Sequence, residues 1–103
     1  MYVIIWKFQA KAGCEDDFER AYGPDGEWVQ LFNRGDGYLS TELLHEEDRK
    51  GHYFTIDRWQ SPTAYEAFRD RWRSQFDALD QRCESLTEEE TKIGTFLSPA
   101  SGR

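Results

Sequence analysis

The chain is 103 residues long and carries 20 acidic against 13 basic residues, a formal charge of −7. That length accommodates one domain, and the acidic balance argues against a nucleic-acid partner, which is gripped by clustered Lys and Arg on phosphates. No stretch approaches the roughly 20 apolar residues of a membrane span, and Cys14 and Cys83 form neither a metal-ligand spacing nor a Cys-x-x-Cys motif, so reduced thiols in a cytoplasmic protein are expected.

Aromatic residues are plentiful, with four Trp, five Tyr and seven Phe. A domain of this size buries only about two-thirds of its unfolded surface, so some of these rings are expected to line a pocket or an interface. The first element is expected to be a strand over Tyr2 to Ala10, not a signal peptide, because its apolar run lacks a basic leader and a small-residue cleavage site. Tyr2, Ile4, Trp6 and Phe8 share one face, and Val3 and Ile5 make the other face apolar too. A strand apolar on both faces is expected to be central and covered on both sides.

Ala12-Gly13 ends the strand, and a helix runs from Cys14 through Phe18, Ala21 and Tyr22. Gly23-Pro24-Asp25-Gly26 interrupts it. Asp25 is placed to cap a second helical piece over Glu27 to Arg34, ended by Gly35-Asp36-Gly37. Tyr38 to His45 and His52 to Trp59 alternate as two strands joined by a charged tip at 46–51. Ser61 as cap and Pro62 at the first helical position open one long helix, along which Tyr65, Phe68, Trp72, Phe76, Leu79, Cys83 and Leu86 recur at helical spacing. Within it the run Arg69 to Arg73 reads as a solvated helix face. Thr87 to Glu90 reads as a polar turn, Thr91 to Leu97 as the last strand, and 98–103 as a C-terminal tail.

The order β-α-β-β-α-β over 1–97 predicts an α+β, ferredoxin-like domain: an antiparallel four-stranded sheet with two helices on one face. Val3, Ile5, Leu39, Leu43, Phe54 and Ile56 are expected on the opposite face, too apolar a patch for a small monomer. A homodimer formed through that sheet face would cover it. A slip of one residue in register would exchange the two faces.

Several segments resemble the antibiotic biosynthesis monooxygenase superfamily of dimeric α+β barrels: Tyr2-Val-Ile-Ile-Trp-Lys-Phe8 followed by Lys11-Ala-Gly-Cys-Glu-Asp-Asp-Phe18, Gly37-Tyr-Leu-Ser-Thr-Glu-Leu-Leu44, and Ile56-Asp-Arg-Trp-Gln-Ser-Pro-Thr-Ala-Tyr-Glu-Ala-Phe68. The likeness covers residues 1 to about 97. It identifies a fold family better than an activity, because one fold hosts many functions. What it implies is a pocket between sheet and helices and, in several members, an oxidoreductase activity: oxygenation of polyphenolic or anthrone-like compounds without a cofactor. Other members cleave haem, with an Asn on the first strand, a Trp ending the third and a His on the following helix. Trp59 matches that Trp, but Trp6 stands at the Asn position and residues 61–86 contain no His, so haem cleavage of that kind is disfavoured.

The resemblance places Tyr53, Thr55, Asp57 and Trp59 on the pocket face of the third strand, beside Trp6 and Phe8. Such a pocket suits a flat aromatic or polyketide-like small molecule. Desolvation by Trp6 and Trp59 would raise the pKa of Asp57 and suit it to act as a general base; the competing reading pairs it with Arg58 or a helix Arg. Trp6, Phe8, Tyr53, Trp59, Trp28 and Asn33 are the expected substrate-binding residues, the last two on the helical piece after the Gly-Pro-Asp-Gly break, where a lid could form. The competing reading, and the favoured one, is a helix kink with Asn33 near its C-terminus. His45 and His52 could face each other across the hairpin, but no metal site is expected there. The function expected is a cofactor-independent monooxygenase; the alternatives are a non-catalytic small-molecule-binding dimer and a structural homodimer of the same fold.

Overall fold

A computed structural model describes residues 1–99. Eight elements follow one another: β1 (Tyr2–Ala10), α1 (Glu15–Tyr22), α2 (Glu27–Phe32), β2 (Tyr38–His45), β3 (His52–Trp59), α3 (Pro62–Arg71), α4 (Arg73–Cys83) and β4 (Thr87–Leu97). A 3-10 turn over Glu84–Leu86 joins the last two. The strands form one antiparallel sheet in the order β2-β3-β1-β4, which is the ferredoxin-like arrangement. β1 is central, and the core lies between the sheet and the helices, where Ile4, Phe8, Phe18, Tyr53, Trp59 and Phe68 are buried. No helix among the described residues is long and apolar enough to cross a membrane.

Local chemistry accounts for most element ends. Ser61 Oγ accepts from the Ala64 backbone N–H at 3.1 Å and Pro62 opens α3, as the Ser-Pro pair requires. At α2 the cap is Gly26, not Asp25, and no side chain caps the helix. Only glycine has room at this cap: a Cβ on Gly26 would stand 2.3 Å from the Ala21 carbonyl oxygen and 2.4 Å from that of Arg20. α2 also stops at Phe32, short of Arg34. The Gly35 that follows lies against the core, where a Cβ would meet Trp59 and Phe68 at 2.9 Å.

Two segments depart from the sequence reading. The long helix expected from Ser61-Pro62 onward is broken at Trp72, whose φ of −109° and ψ of 28° leave the helical region. Its N–H still donates to the Phe68 carbonyl and its carbonyl still accepts from Phe76, both at 2.9 Å, so the apolar stripe continues across the break and periodicity does not reveal it. Thr87 to Glu90 is not a turn but the first part of β4. Its acidic residues pair with the end of β1, Glu90 opposite Phe8 and Glu89 opposite Gln9. β4 is an edge strand, and charged residues there are a common guard against pairing with other chains. Ser98 after it donates to the Met1 carbonyl at 2.9 Å; the rest of the expected tail, from residue 100, lies outside the described residues.

The face of the sheet away from the helices carries Val3, Ile5, Phe54 and Ile56, joined by Leu44 and Phe96. Leu43 is not among them. Pairing opposite Thr55, it packs against the core on the helix side. Leu39 sits at a register irregularity between Tyr38 and Ser40 and is exposed. The added residue there shifts the parity of β2, and strand parity decides the face. Lys7 and the Arg58–Glu42 ion pair border the apolar patch.

Candidate functional site

Side-chain size along β3 explains where the molecule is hollow. On the helix side this strand presents Tyr53, Thr55, Asp57 and Trp59 in turn, large at both ends and short in the middle. Tyr53 packs on Phe18 with ring centroids 4.6 Å apart and its hydroxyl donates to Glu19. At the other end Trp59, with 0 % exposure, is enclosed by Phe32, Tyr38, Tyr65 and Phe68 at 5.0–5.9 Å. Over the short middle residues lies a cavity of about 300 Å³. Thr41, Thr55 and Asp57 belong to its floor, together with Trp6 and Phe8 of β1. Trp28 and Phe32 of α2, Tyr65 and Arg69 of α3 and Phe76 of α4 line its helix side. Tyr22 of α1, with Asp80, Glu90 and Lys92, completes the lining.

Asp57 is the one carboxylate held deep in this cavity, at 7 % exposure. Thr41 Oγ1, facing it from β2, donates to Asp57 Oδ1 at 2.7 Å, and the Tyr38 hydroxyl donates to Thr41 Oγ1 at 2.7 Å. Burial pushes the acid up from 3.8 to about 6, against the lowering effect of the Thr41 bond. Arg58 does not pair with it: the neighbouring position in the strand points to the other face, where Arg58 pairs with Glu42. The phenols of Tyr38 and Tyr65 are pushed upward chiefly by burial, so near neutral pH both are hydroxyl donors rather than anions. The cavity thus joins flat apolar walls to a carboxyl group poised to exchange a proton close to neutrality.

Of the residues singled out from the sequence, Trp6, Phe8, Trp28 and Asp57 line the cavity. Tyr53 and Trp59 do not; they fill the two ends of the core beyond it. Asn33 follows α2 as its C-cap and is exposed, away from the cavity. His45 stands over the Tyr53 ring, opposite Tyr53 in register, so His52 falls on the other face and the two histidines do not meet. The described residues hold no cluster of three metal-ligating side chains. Cys14 and Cys83 are both free.

Sequence reasoning missed Tyr65, Phe76 and Arg69 as cavity residues. The first two recur at helical spacing with the core positions, and periodicity alone does not separate a core ring from a cavity ring. Arg69 is not on a solvated face: its guanidinium carbon stands 3.9 Å from the Phe76 ring centroid. The large-small-small-large order along 53–59 was the available signal for the void.

Residues 1–85 match the antibiotic biosynthesis monooxygenase family. No curated protein matches the chain. Among solved structures, SnoaB, a cofactor-independent oxygenase from Streptomyces nogalater, is 20% identical with a TM-score of 0.68, over 95% of this chain and 92% of that one. A candidate antibiotic biosynthesis monooxygenase from Nitrosomonas europaea gives a TM-score of 0.73 at 13% identity, over 95% of this chain and 98% of that one. A mutant of MhuD, solved with two manganese protoporphyrin IX bound per active site, gives 0.70 at 17% identity, over 95% and 94%. At such identities the structural likeness speaks for the fold alone. The family match, however, takes in three of the four strands and all four helices that enclose the cavity, and on it the chain belongs to the antibiotic biosynthesis monooxygenase family.

Proposed function

We propose that the protein is a cofactor-independent monooxygenase acting on a flat, electron-rich aromatic or polyketide-like molecule, with Asp57 as its general base. The observation that carries this reading is the position of Asp57: a single deeply buried carboxylate, with its pKa raised to about 6, on the floor of an aromatic cavity of about 300 Å³. That volume lies at the small end of the range for ligand pockets. Trp6, Phe8 and Trp28 would hold the ring system.

For an anthrone-like substrate the balance is direct. Asp57 takes a proton from the activated CH2 and leaves a resonance-stabilised carbanion. This anion gives one electron to O2, and the resulting pair of radicals combines into a carbon-bound peroxide. Loss of the second C–H proton and cleavage of the O–O bond give a new C=O, and the expelled hydroxide leaves as water. One oxygen atom enters the product and one becomes water. The chain's part is to accept and return the proton and to exclude bulk water from the anion.

The sheet face bearing Val3, Ile5, Phe54 and Ile56 supports assembly as a homodimer in which two sheets stack. The cavity favours a ligand-binding protein over a purely structural dimer whose pocket is filled by its own side chains. Tryptophan fluorescence titrated with anthrones, naphthols and flavonoids, followed by oxygen consumption with the tightest ligand, tests the reading. Saturable quenching with turnover that Asp57→Asn removes is the expected result. Binding unchanged and turnover absent in both proteins would make it a non-catalytic binder, and no saturable response would remove the reading altogether.

A further inference from the structure

Among the described residues, Arg69 is a cation without a counter-ion, set against an aromatic cavity. The ion pairs among the described residues engage Arg20, Arg49, Arg58, Arg73 and Arg82, and none includes Arg69. Its guanidinium lies over the Phe76 ring at 3.9 Å and donates through Nη1 to the Tyr65 hydroxyl at 3.2 Å. Its Nε–H is buried and has no hydrogen-bond partner among the described residues. A guanidinium carries five donors in a fixed fork. With Nη1 engaged by Tyr65 and Nε closed off by burial, the donors left for a ligand are those of Nη2, which makes no hydrogen bond among the described residues. Stacking on Phe76 offsets part of the cost of withdrawing the charge from water, but it supplies no acceptor, and an unmet buried donor is costly.

The carboxylates in the same lining are placed elsewhere. Asp57 is tied to Thr41 on the sheet side. Asp80 and Glu90 lie close to each other, near enough for Asp80 to help push the Glu90 carboxyl upward, after burial. A second cation reaches the lining through an irregularity in β4: its register with β1 slips between the Ile5–Gly94 and Trp6–Lys92 pairs, and Lys92 is thereby brought to the cavity.

We propose that the Nη2 end of the Arg69 guanidinium, supported by Lys92, binds a carboxylate on the ligand, so that the cavity selects aromatic carboxylic acids over their neutral counterparts. This rests on the aromatic-binding reading of the cavity above and narrows its substrate class. Asp57 and Arg69 then act on different parts of one molecule, the first on the reacting position and the second on the acid group.

Calorimetric titration with 1-naphthoate and its uncharged isostere 1-naphthamide, at neutral pH, tests the assignment in the wild type, Arg69→Met and Arg69→Lys. The wild type is expected to bind the acid at least about tenfold more tightly than the amide. Arg69→Met should lose that preference while keeping its affinity for the amide, which also reports that the cavity is intact; Arg69→Lys should retain part of it. Equal affinities in the wild type, or a preference that survives in Arg69→Met, would overturn the role of Arg69 and leave the aromatic cavity standing. Failure of the wild type to bind either compound would overturn both.

Discussion

Thr41 and Asp57 face each other across adjacent strands, and the Thr41 hydroxyl donates to Asp57 Oδ1 at 2.7 Å. Because the Tyr38 hydroxyl already donates into the same threonine oxygen at 2.7 Å, the single Thr41 proton is committed to the carboxylate. This fixes the direction of a short relay, Tyr38 to Thr41 to Asp57, and holds the acid in one orientation. The bond favours the charged form, but burial outweighs it and the group titrates at about 6.

A general base must be ionised to work, so turnover on the best ligand is expected to rise with pH through about 6 and then level off. Thr41→Val removes the donor that favours the carboxylate, and the midpoint should move upward. The pH profiles of kcat/KM in the two proteins make the comparison. A wild-type midpoint near 4, unchanged by Thr41→Val, would mean that Asp57 is not the titrating base.

Asp57 also weakens the fold at neutral pH. Its folded value, about 6, stands above the ordinary 3.8, so the folded chain holds the proton more tightly than the unfolded chain does. Its favourable contribution is complete below about 4, is lost as pH rises toward 6, and leaves a constant penalty above that, up to about 3 kcal/mol. Asp57→Asn keeps an acceptor for Thr41 without the charge. At pH 8 it should therefore be more stable than the wild type by on the order of 1–3 kcal/mol, with the gain vanishing below pH 4. Turnover should fall about 10²–10⁴-fold. Urea unfolding at the two pH values, set beside the activity, measures both.

Trp59 is enclosed by four rings and stands outside the cavity lining. Ligand-induced quenching should therefore survive Trp59→Phe and weaken in Trp6→Phe or Trp28→Phe, whose indoles line the cavity. Trp59→Ala should cost about 3–5 kcal/mol of stability, the range for truncating a fully buried aromatic. Steady-state fluorescence titration and thermal unfolding report these two results separately.

Ile5 lies on the central strand, on the apolar face away from the helices, opposite Ile56. Ile5→Lys places a charge in the middle of the proposed dimer contact without touching the core. The wild type is expected to sediment as a dimer and the variant as a folded monomer with unchanged far-ultraviolet circular dichroism. A monomeric wild type at micromolar concentration would refute the stacked-sheet arrangement.

Local chemistry was written in the sequence wherever neighbours along the chain suffice. The Ser61-Pro62 helix start, the breaks at Gly23-Pro24 and Gly35, and the alternation that puts Asp57 on the same face as Tyr53 and Trp59 needed no distant partner. That alternation and the order of elements were enough to specify a ferredoxin-like sheet with an aromatic face and one carboxylate in it. The tertiary structure decided what depends on residues far apart in sequence. Leu43 turned inward because an irregularity in β2 changes its parity. Thr87 to Glu90 became strand because the end of β1 offered them a ladder that their composition does not seek. Trp59 became core because Phe32, Tyr38 and Phe68 converge on it, while the short side chains of Thr41 and Thr55 left the space beside Asp57 unfilled. Arg69 reads as a surface charge until Phe76 and Tyr65 close around it. Backbone preference acts between sequence neighbours and is visible in one dimension; burial and cavity shape arise from side chains brought together from many elements, and exist only once the chain has folded.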